Sequence, residues 1–278
     1  MTTFPMGPAL LFCPGDRPER YAKAAERADA VILDLEDAVA PEDKEAARQH
    51  LMTATLDPAT TMVRVNPVGT EDFEKDLAAV RQTPYRTLMA AKSEDPSAMG
   101  EALADFTVVA LLETALGVVR ANEIAQLPCV AAMMWGAEDL MASLGGDSSR
   151  GPDGSYRGVA RHARASVLLA AGAFGKGAID SIYGNIGDTR GLEIEARDAA
   201  ASGFAAKACI HPGQVAAIRA AYAPSEDEVS YAADVIAEAA NHGGVFRFRG
   251  EMIDGPLLKQ ARQTLQRAGR LPVARLHG

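Results

Sequence analysis

The chain has 278 residues and carries 28 Lys and Arg against 37 Asp and Glu, a formal net charge of −9. That acidity, with a pI near 5.1, repels phosphate backbones and anionic headgroups, so nucleic acid and membrane surfaces are excluded as principal partners. No run approaches the roughly 18 uninterrupted apolar residues of a membrane span, and the opening MTTFPMGPALLF has neither a basic leader nor a long apolar core, so neither signal nor anchor is expected.

In chain order, the first strand is expected at ALLFC (9–13). The segment FCPGDRPER then puts Gly15 in a tight turn and Arg17 at the start of the helix PERYAKAAERA. Backbone N–H groups and a basic side chain there could hold an anion, although an ordinary turn with a solvated Arg17 accounts for the same residues. AVILDL (30–35) is the second strand, followed by the helix PEDKEAARQHL. MVRV (62–65) with EDFEKDLAAVRQ, TLMAAK (87–92), and TVVALLE (107–113) with TALGVVRANEIA continue the alternation. VAAMMW (130–135) is the sixth strand, and GGDSSRGPDGSYRG (145–158) is expected to be a mobile solvated connection, with a lid as the alternative. The helix VARHARASVLLAAGAF, the strand GAIDSIY (177–183), the helix TRGLEIEARDAAA and the strand AAKACI (205–210) complete the series.

These runs are continuous in Val, Ile, Leu, Met and Ala rather than alternating with polar residues, as parallel strands covered on both faces require. Eight of them, separated by segments of helical character that many a Pro, Asp, Thr or Glu opens, predict an α/β fold, a (β/α)8 TIM barrel, over residues 1–222. A helix, a short hairpin-like stretch and a last helix over residues 223–278 form a C-terminal extension. Cys13, Cys129 and Cys209 lie in or beside apolar segments and are odd in number, which favours buried free thiols and a cytoplasmic location.

Barrel chemistry gathers at the ends of the strands. Pro14 and Gly15, Glu36 and Asp37, Arg64 and Asn66, Lys92, Glu113, Glu138 and Asp139, Asp180, and Lys207 with His211 would then share one mouth. A carboxylate just past a strand is often only a helix cap, and Asp139 could be that; Glu113 is less easily dismissed, because Thr114 is the natural cap. Glu113 and Asp139 suit a hard divalent ion such as Mg2+, which takes oxygen ligands and leaves positions for water and substrate. Zinc is disfavoured because no paired Cys or His spacing exists, and His50, His162, His242 and His277 are expected on the surface. Arg64 in a strand needs a partner: a substrate carboxylate, an ion pair with Glu36, Asp37 or Glu113, or both. Lys207 is expected to answer an acid such as Asp34 or Glu36, with a Schiff-base role as the alternative.

In order, DLEDAV, VRVNPVGT, LLETALGV, WGAEDL, GKGAIDSIYGNIGD and GFAAKACIHPGQV resemble the HpcH/HpaI aldolase and citrate lyase beta-subunit family, and within it the CitE-like acyl-CoA lyases. The likeness spans nearly the whole chain. It implies a (β/α)8 barrel, a homotrimer or hexamer, with Mg2+ and a CoA thioester at the C-terminal face. Carried over by position, it makes Glu113 and Asp139 the metal ligands and Arg64 the holder of the keto-acid carboxylate, supported by Glu36 and Asp37. Gly136, Ala137 and Glu138 of GAED would line the substrate site, and Pro14, Gly15 and His211 would lie towards CoA. MIDGPLLKQA points to Asp254 as an acid reaching a neighbouring protomer's site. Ala91-Lys92 stands where relatives often have Pro-Lys, and Trp135 is expected to be a packed core aromatic or a narrowing of the acyl pocket.

The implied reaction is reversible cleavage of a carboxylated 3-hydroxyacyl-CoA, of malyl-CoA or citramalyl-CoA type, to a keto acid and acetyl-CoA or another short acyl-CoA. Alternatives are a metal-dependent aldolase acting on a free hydroxy-keto acid, a citrate lyase beta-type subunit acting on a carrier-bound acyl group, and a barrel that binds metabolites without catalysis.

Overall fold

Side chains along a strand alternate between its two faces; in a barrel one face looks inward and the other meets the helices, so both are apolar. The computed structural model describes residues 4–270. Strands β1 (Ala9–Pro14), β2 (Ala30–Asp34), β3 (Thr61–Val65), β4 (Thr87–Ala90), β5 (Thr107–Leu112), β6 (Val130–Trp135), β7 (Gly177–Asp180) and β8 (Ala206–Cys209) form a closed parallel barrel in sequence order. β8 returns to pair with β1. The expected barrel is therefore observed, and each predicted apolar run contains one strand.

The helices are α1 (Tyr21–Arg27), α2 (Lys44–Thr53), α3 (Glu71–Val80), α4 (Pro96–Ala102), α5 (Ala115–Val119), α6 (Ala121–Ala125), α7 (Ala137–Ser143), α8 (Gly158–Ala173), α9 (Thr189–Ser202) and α10 (Val215–Tyr222). Several start where a side chain satisfies an orphan N–H: Thr70 caps α3, Asp95 caps α4, Thr114 caps α5 and Asp188 caps α9. Thr114 taking that role leaves Glu113 free for another.

The barrel interior is filled by Leu10, Ile32, Met62, Met89, Val109, Leu111, Met134, Ile179 and Ala208, among others. Two residues further along the same inward rows come Asp34 after Ile32, Arg64 after Met62, Glu113 after Leu111, Gly136 after Met134, Ser181 after Ile179 and Ile210 after Ala208. These six line one cavity at the C-terminal mouth. Trp135, Asp180 and Lys207 fall on the opposite parity and face the helices.

The chain divides into two compact units, Met1–Ile218 and Arg219–Gly278. The second holds α11 (Glu226–Ala239), the antiparallel strands β9 (Phe246–Phe248) and β10 (Glu251–Ile253), and α12 (Gly255–Arg267). Its own core packs Val235, Phe246, Ile253 and Leu265 together.

No disulfide joins the three cysteines; Cys13 and Cys209 are buried, but Cys129 is only half-buried, just ahead of β6. His162 and His242 are exposed, His50 is half-buried, and His277 lies outside the described residues. Among the described residues, no helix is long and apolar enough to cross a membrane.

Candidate active site

Arg64 ends an inward row of β3 directly beside Asp34, its register partner on β2. Its Nε donates to Asp34 Oδ1 at 2.7 Å and its Nη2 to Asp34 Oδ2 at 2.6 Å. Nη1 reaches Glu36 Oε2 at 2.9 Å. Burial works against the Arg64 charge, but Asp34 and Glu36 outweigh it and hold the guanidinium protonated. The guanidinium also lies over the Phe12 ring, 5.0 Å from its centroid. Five N–H groups radiate from a guanidinium; Asp34 and Glu36 engage three of them, and Arg64 borders the cavity with two for a ligand. Asp34 is the partner that sequence reasoning missed for Arg64, and Glu36 is the one it anticipated.

Glu113 follows β5, and Gly136 follows β6 beside it, with the Gly136 N–H donating to Leu112 O at 3.1 Å. A Cβ on residue 136 would stand 2.7 Å from Glu113 Cβ and 2.9 Å from Glu113 Oε2. Glycine is therefore the residue that lets this carboxylate lie across the GAED turn. Asp139 sits in the first turn of α7 and borders the same cavity, of about 190 Å³. Burial pushes the Glu113 pKa up to about 8, with Arg64 pulling it down and Asp139 adding to the rise. A divalent cation beside these two carboxylates would supply the missing opposite charge. The donor set fits a hard ion such as Mg2+: it is all oxygen, with two carboxylates on an open cavity and space for water and substrate. Among the described residues, no group of three or more His, Cys, Asp and Glu is placed to hold a metal ion by itself.

Lys92 was counted among the mouth residues but given no role. Its N–H donates to Glu113 Oε1 at 3.0 Å, and its Nζ binds Glu36 Oε1 and, at 3.0 Å, Asp37 Oδ2. Behind it, Lys44 Nζ donates to Asn66 Oδ1 at 2.5 Å and to Leu35 O at 3.2 Å. Asn66 in turn donates to Leu35 O and Asp76 Oδ2, and Arg48 Nε closes on Asp76 Oδ1 at 2.8 Å. This buried network fixes the DLED turn from its outer side.

Two expectations are corrected by strand parity. Lys207 pairs with neither Asp34 nor Glu36: it points away from the barrel axis, and its Nζ donates to Asp180 Oδ2 at 2.9 Å, Glu195 Oε1 at 2.9 Å and Ser181 O at 2.6 Å. An ammonium has three donors, so all are engaged and a Schiff-base role has no free amine. Asp180 also leaves the mouth, accepting from Trp135 Nε1 at 2.8 Å and from Arg164 Nε at 2.9 Å. Trp135 is fully buried, a core aromatic rather than a wall of the cavity.

The loop at 145–158 makes specific contacts with the barrel unit. Arg150 and Tyr156 form a β-bridge, Arg150 Nη2 reaches Glu195 Oε2 at 2.7 Å and Tyr156 OH reaches Glu195 Oε1 at 3.1 Å. The Tyr156 ring meets Trp135 edge-on at 5.1 Å. Ser149 Oγ donates to Glu138 Oε1 at 2.7 Å, so this loop holds one residue of the GAED turn.

Ala137 and Glu138 border the cavity with Gly136 and Asp139. Pro14, Gly15 and His211 are not part of that lining. The Gly15 N–H is taken by Asp34 O at 2.8 Å and the Arg17 N–H by Pro14 O at 3.1 Å, while the exposed Arg17 side chain pairs with Asp16 Oδ2 at 3.2 Å. His211 Nδ1 accepts from the Gly213 N–H at 3.1 Å in a capping box completed by Gln214. In the second unit, Asp254 caps α12, its Oδ1 accepting from Leu257 N–H at 3.3 Å. An open hollow in that unit is lined by Val245, Phe246, Arg247, Gly250 and Met252, with no carboxylate among them.

Residues 9–212 match the HpcH/HpaI aldolase/citrate lyase family, and residues 163–271 match the C–C bond lyases of the TIM-barrel fold. A citrate lyase subunit beta-like protein of Mycobacterium tuberculosis is 52% identical over 263 residues, 95% of this chain and 96% of that protein. The mitochondrial citramalyl-CoA lyase of Homo sapiens is 32% identical over 291 residues, 92% of this chain and 84% of that one. The crystal structure of CitE from Mycobacterium tuberculosis, in complex with magnesium, acetoacetate and coenzyme A, superposes with a TM-score of 0.91 at 52% identity, covering 95% of this chain and 98% of that chain.

Proposed function

The chain belongs to the HpcH/HpaI aldolase/citrate lyase family, and we propose that it is a Mg2+-dependent carbon–carbon lyase. It reversibly cleaves a carboxylated 3-hydroxyacyl-CoA, of malyl-CoA or citramalyl-CoA type, to a keto acid and acetyl-CoA or another short acyl-CoA. The observation that carries this reading is the meeting of Glu113, Asp139 and Arg64 around one cavity at the C-terminal mouth of the barrel. The human relative named a citramalyl-CoA lyase, and the solved relative holding magnesium, acetoacetate and coenzyme A, support the substrate class.

In this reading Glu113 and Asp139 hold the cation. Magnesium, when bound, supplies Lewis acidity at the hydroxyl and carboxylate oxygens of the substrate. Arg64 offers its two remaining N–H groups to the keto-acid carboxylate, while Asp34, Glu36 and, through Lys92, Asp37 keep the guanidinium aimed. Ala137 and Glu138, with Gly136, shape the wall next to the reacting carbons. As the hydroxyl gives its proton to solvent and its oxygen becomes the carbonyl of the keto acid, the carbon–carbon bond breaks and the electron pair of that bond passes to the α-carbon of the thioester. That carbon must then receive a proton, and Asp254, reaching into a neighbouring protomer's site, is assigned to deliver it and to remove it in the condensing direction. Pro14, Gly15 and His211 are placed on the CoA side.

The protein is proposed to work as a homotrimer or hexamer in the cytoplasm, where cysteines outside disulfides stay reduced. The test is a screen of malyl-CoA, citramalyl-CoA, hydroxymethylglutaryl-CoA and free oxaloacetate with and without Mg2+, following keto-acid release. Mg2+-dependent release from a CoA thioester supports the lyase; turnover of oxaloacetate alone, a decarboxylation to pyruvate, would argue against a CoA thioester as the substrate.

A further inference from the structure

The turn after β4 carries a lysine in a backbone conformation that lysine seldom adopts. Lys92 has φ 46, in the left-handed region where Cβ crowds the backbone and a non-glycine residue is strained. Such strain persists where the surroundings over-determine it, and here they do. One residue reaches four acids: its N–H meets Glu113 Oε1 at 3.0 Å, while its Nζ binds Glu36 Oε1, lies 3.0 Å from Asp37 Oδ2 and stands 3.9 Å from Asp139 Oδ1.

Asp34, Glu36, Asp37, Glu113 and Asp139 crowd this end of the barrel, and among the described residues their ion pairs come from Arg64 and Lys92. Glu36 is buried and clamped between the two, with Oε1 on Lys92 and Oε2 on Arg64 Nη1 at 2.9 Å. Without the ammonium, Glu36 would keep one cationic partner and gain a bare oxygen in a region of like charge. A divalent ion is the strongest counter-charge that region could then recruit. A third carboxylate would bind that ion more tightly, leave it fewer positions for substrate oxygens, and loosen the brace on Arg64.

We infer that Lys92 is a positioning residue that keeps Glu36 on Arg64 and off the cation, so that two carboxylates hold the metal and substrate oxygens find room on it. This rests on the lyase reading above and assigns the site a selectivity device that neither ligand supplies. The role divides between backbone and side chain. The amide aims Glu113, and the ammonium sets how many acids the cation meets.

The test is a Mn2+ titration of the substrate-free protein, followed by electron paramagnetic resonance, for wild type, Lys92→Met and Lys92→Arg, each checked for a cooperative melt. Removing one positive charge so close to a divalent ion should make Mn2+ binding about tenfold tighter in Lys92→Met. In the same variant the KM for the acyl-CoA substrate should rise, and Lys92→Arg should restore both values towards wild type. A folded Lys92→Met that binds Mn2+ with unchanged or weaker affinity overturns the inference. Should that variant fail to fold, Lys92→Gln, which keeps a donor for Glu36, measures the same affinity. If wild type itself binds no Mn2+, the metal assignment falls and this inference falls with it; wild-type binding with no tightening in Lys92→Met or Lys92→Gln sinks the Lys92 role alone.

Discussion

Asp34 and Arg64 face each other in register across β2 and β3 and close a two-pronged ion pair at 2.7 and 2.6 Å. Both are buried, so removing one charge leaves the other without its main partner in a region of low dielectric. Such a break typically costs about 3–5 kcal/mol, softened here because Glu36 still reaches Arg64. Asp34→Asn is expected to lose roughly 2–4 kcal/mol in urea unfolding, with a raised KM for substrate as the guanidinium loses its aim. A variant as stable as wild type with an unaltered KM would show that Asp34 does not orient Arg64.

Asp139 is a different case, since its side chain, in the first turn of α7, is 39% exposed to solvent. Asp139→Ala should abolish Mg2+-dependent turnover while moving Tm by no more than about 2 °C. Full activity in that variant would remove the metal assignment.

Gly136→Ala probes Glu113 without touching its charge. The backbone at Gly136 has φ −115, which any residue adopts, so the new methyl acts only by pushing on Glu113. A displacement of this kind at a reacting centre can reduce rate by about a hundredfold. A folded Gly136→Ala enzyme with wild-type kcat would mean that Glu113 is not a ligand held in a fixed place.

Lys207 predicts stability rather than catalysis. Lys207→Met leaves Glu195 and Asp180 short of a buried cation, and a loss of about 3–5 kcal/mol is expected in denaturant unfolding. Borohydride treatment in the presence of a keto acid should leave Lys207 unmodified in the wild type; a reduced adduct on that residue would revive the Schiff-base alternative.

Sharing of the site between protomers is tested by complementation. Asp254→Asn and Asp139→Ala homomers should each be inactive, and mixed oligomers should regain part of the activity. No recovery after demonstrated subunit exchange would return the proton donor to the barrel's own chain.

Much of this was legible in the sequence because a barrel strand must be apolar on both faces, and the eight runs say so directly. Glu113 and Asp139 stood out for the same reason, as charges where those runs stop. The Asp34–Arg64 pair was hidden because parallel register between strands joined by a helix is not written in either strand alone. The run AVILDL offers Asp34 as one more strand residue, and attention fell on the acids after it. That Lys207 answers acids was legible, but not which ones: Ala206 and Ala208 flank it with equal, small side chains, so the pattern does not reveal which face it takes, and its partner Glu195 lies on a helix. At 145–158, Gly, Ser and Asp dominate the composition and mask the two residues, Arg150 and Tyr156, that fasten the loop.

Position 92 places opposed demands on any replacement. Glycine would relax the left-handed turn and keep the amide on Glu113, yet it carries no charge; arginine would keep the charge and retain the crowding. The parent lysine already accepts the crowding in order to keep the charge, so a replacement that relaxes the turn must surrender control over how many acids reach the cation. A saturation library there should therefore split into two populations, a sturdier one without the charge and a strained one with it, and the parent belongs to the second.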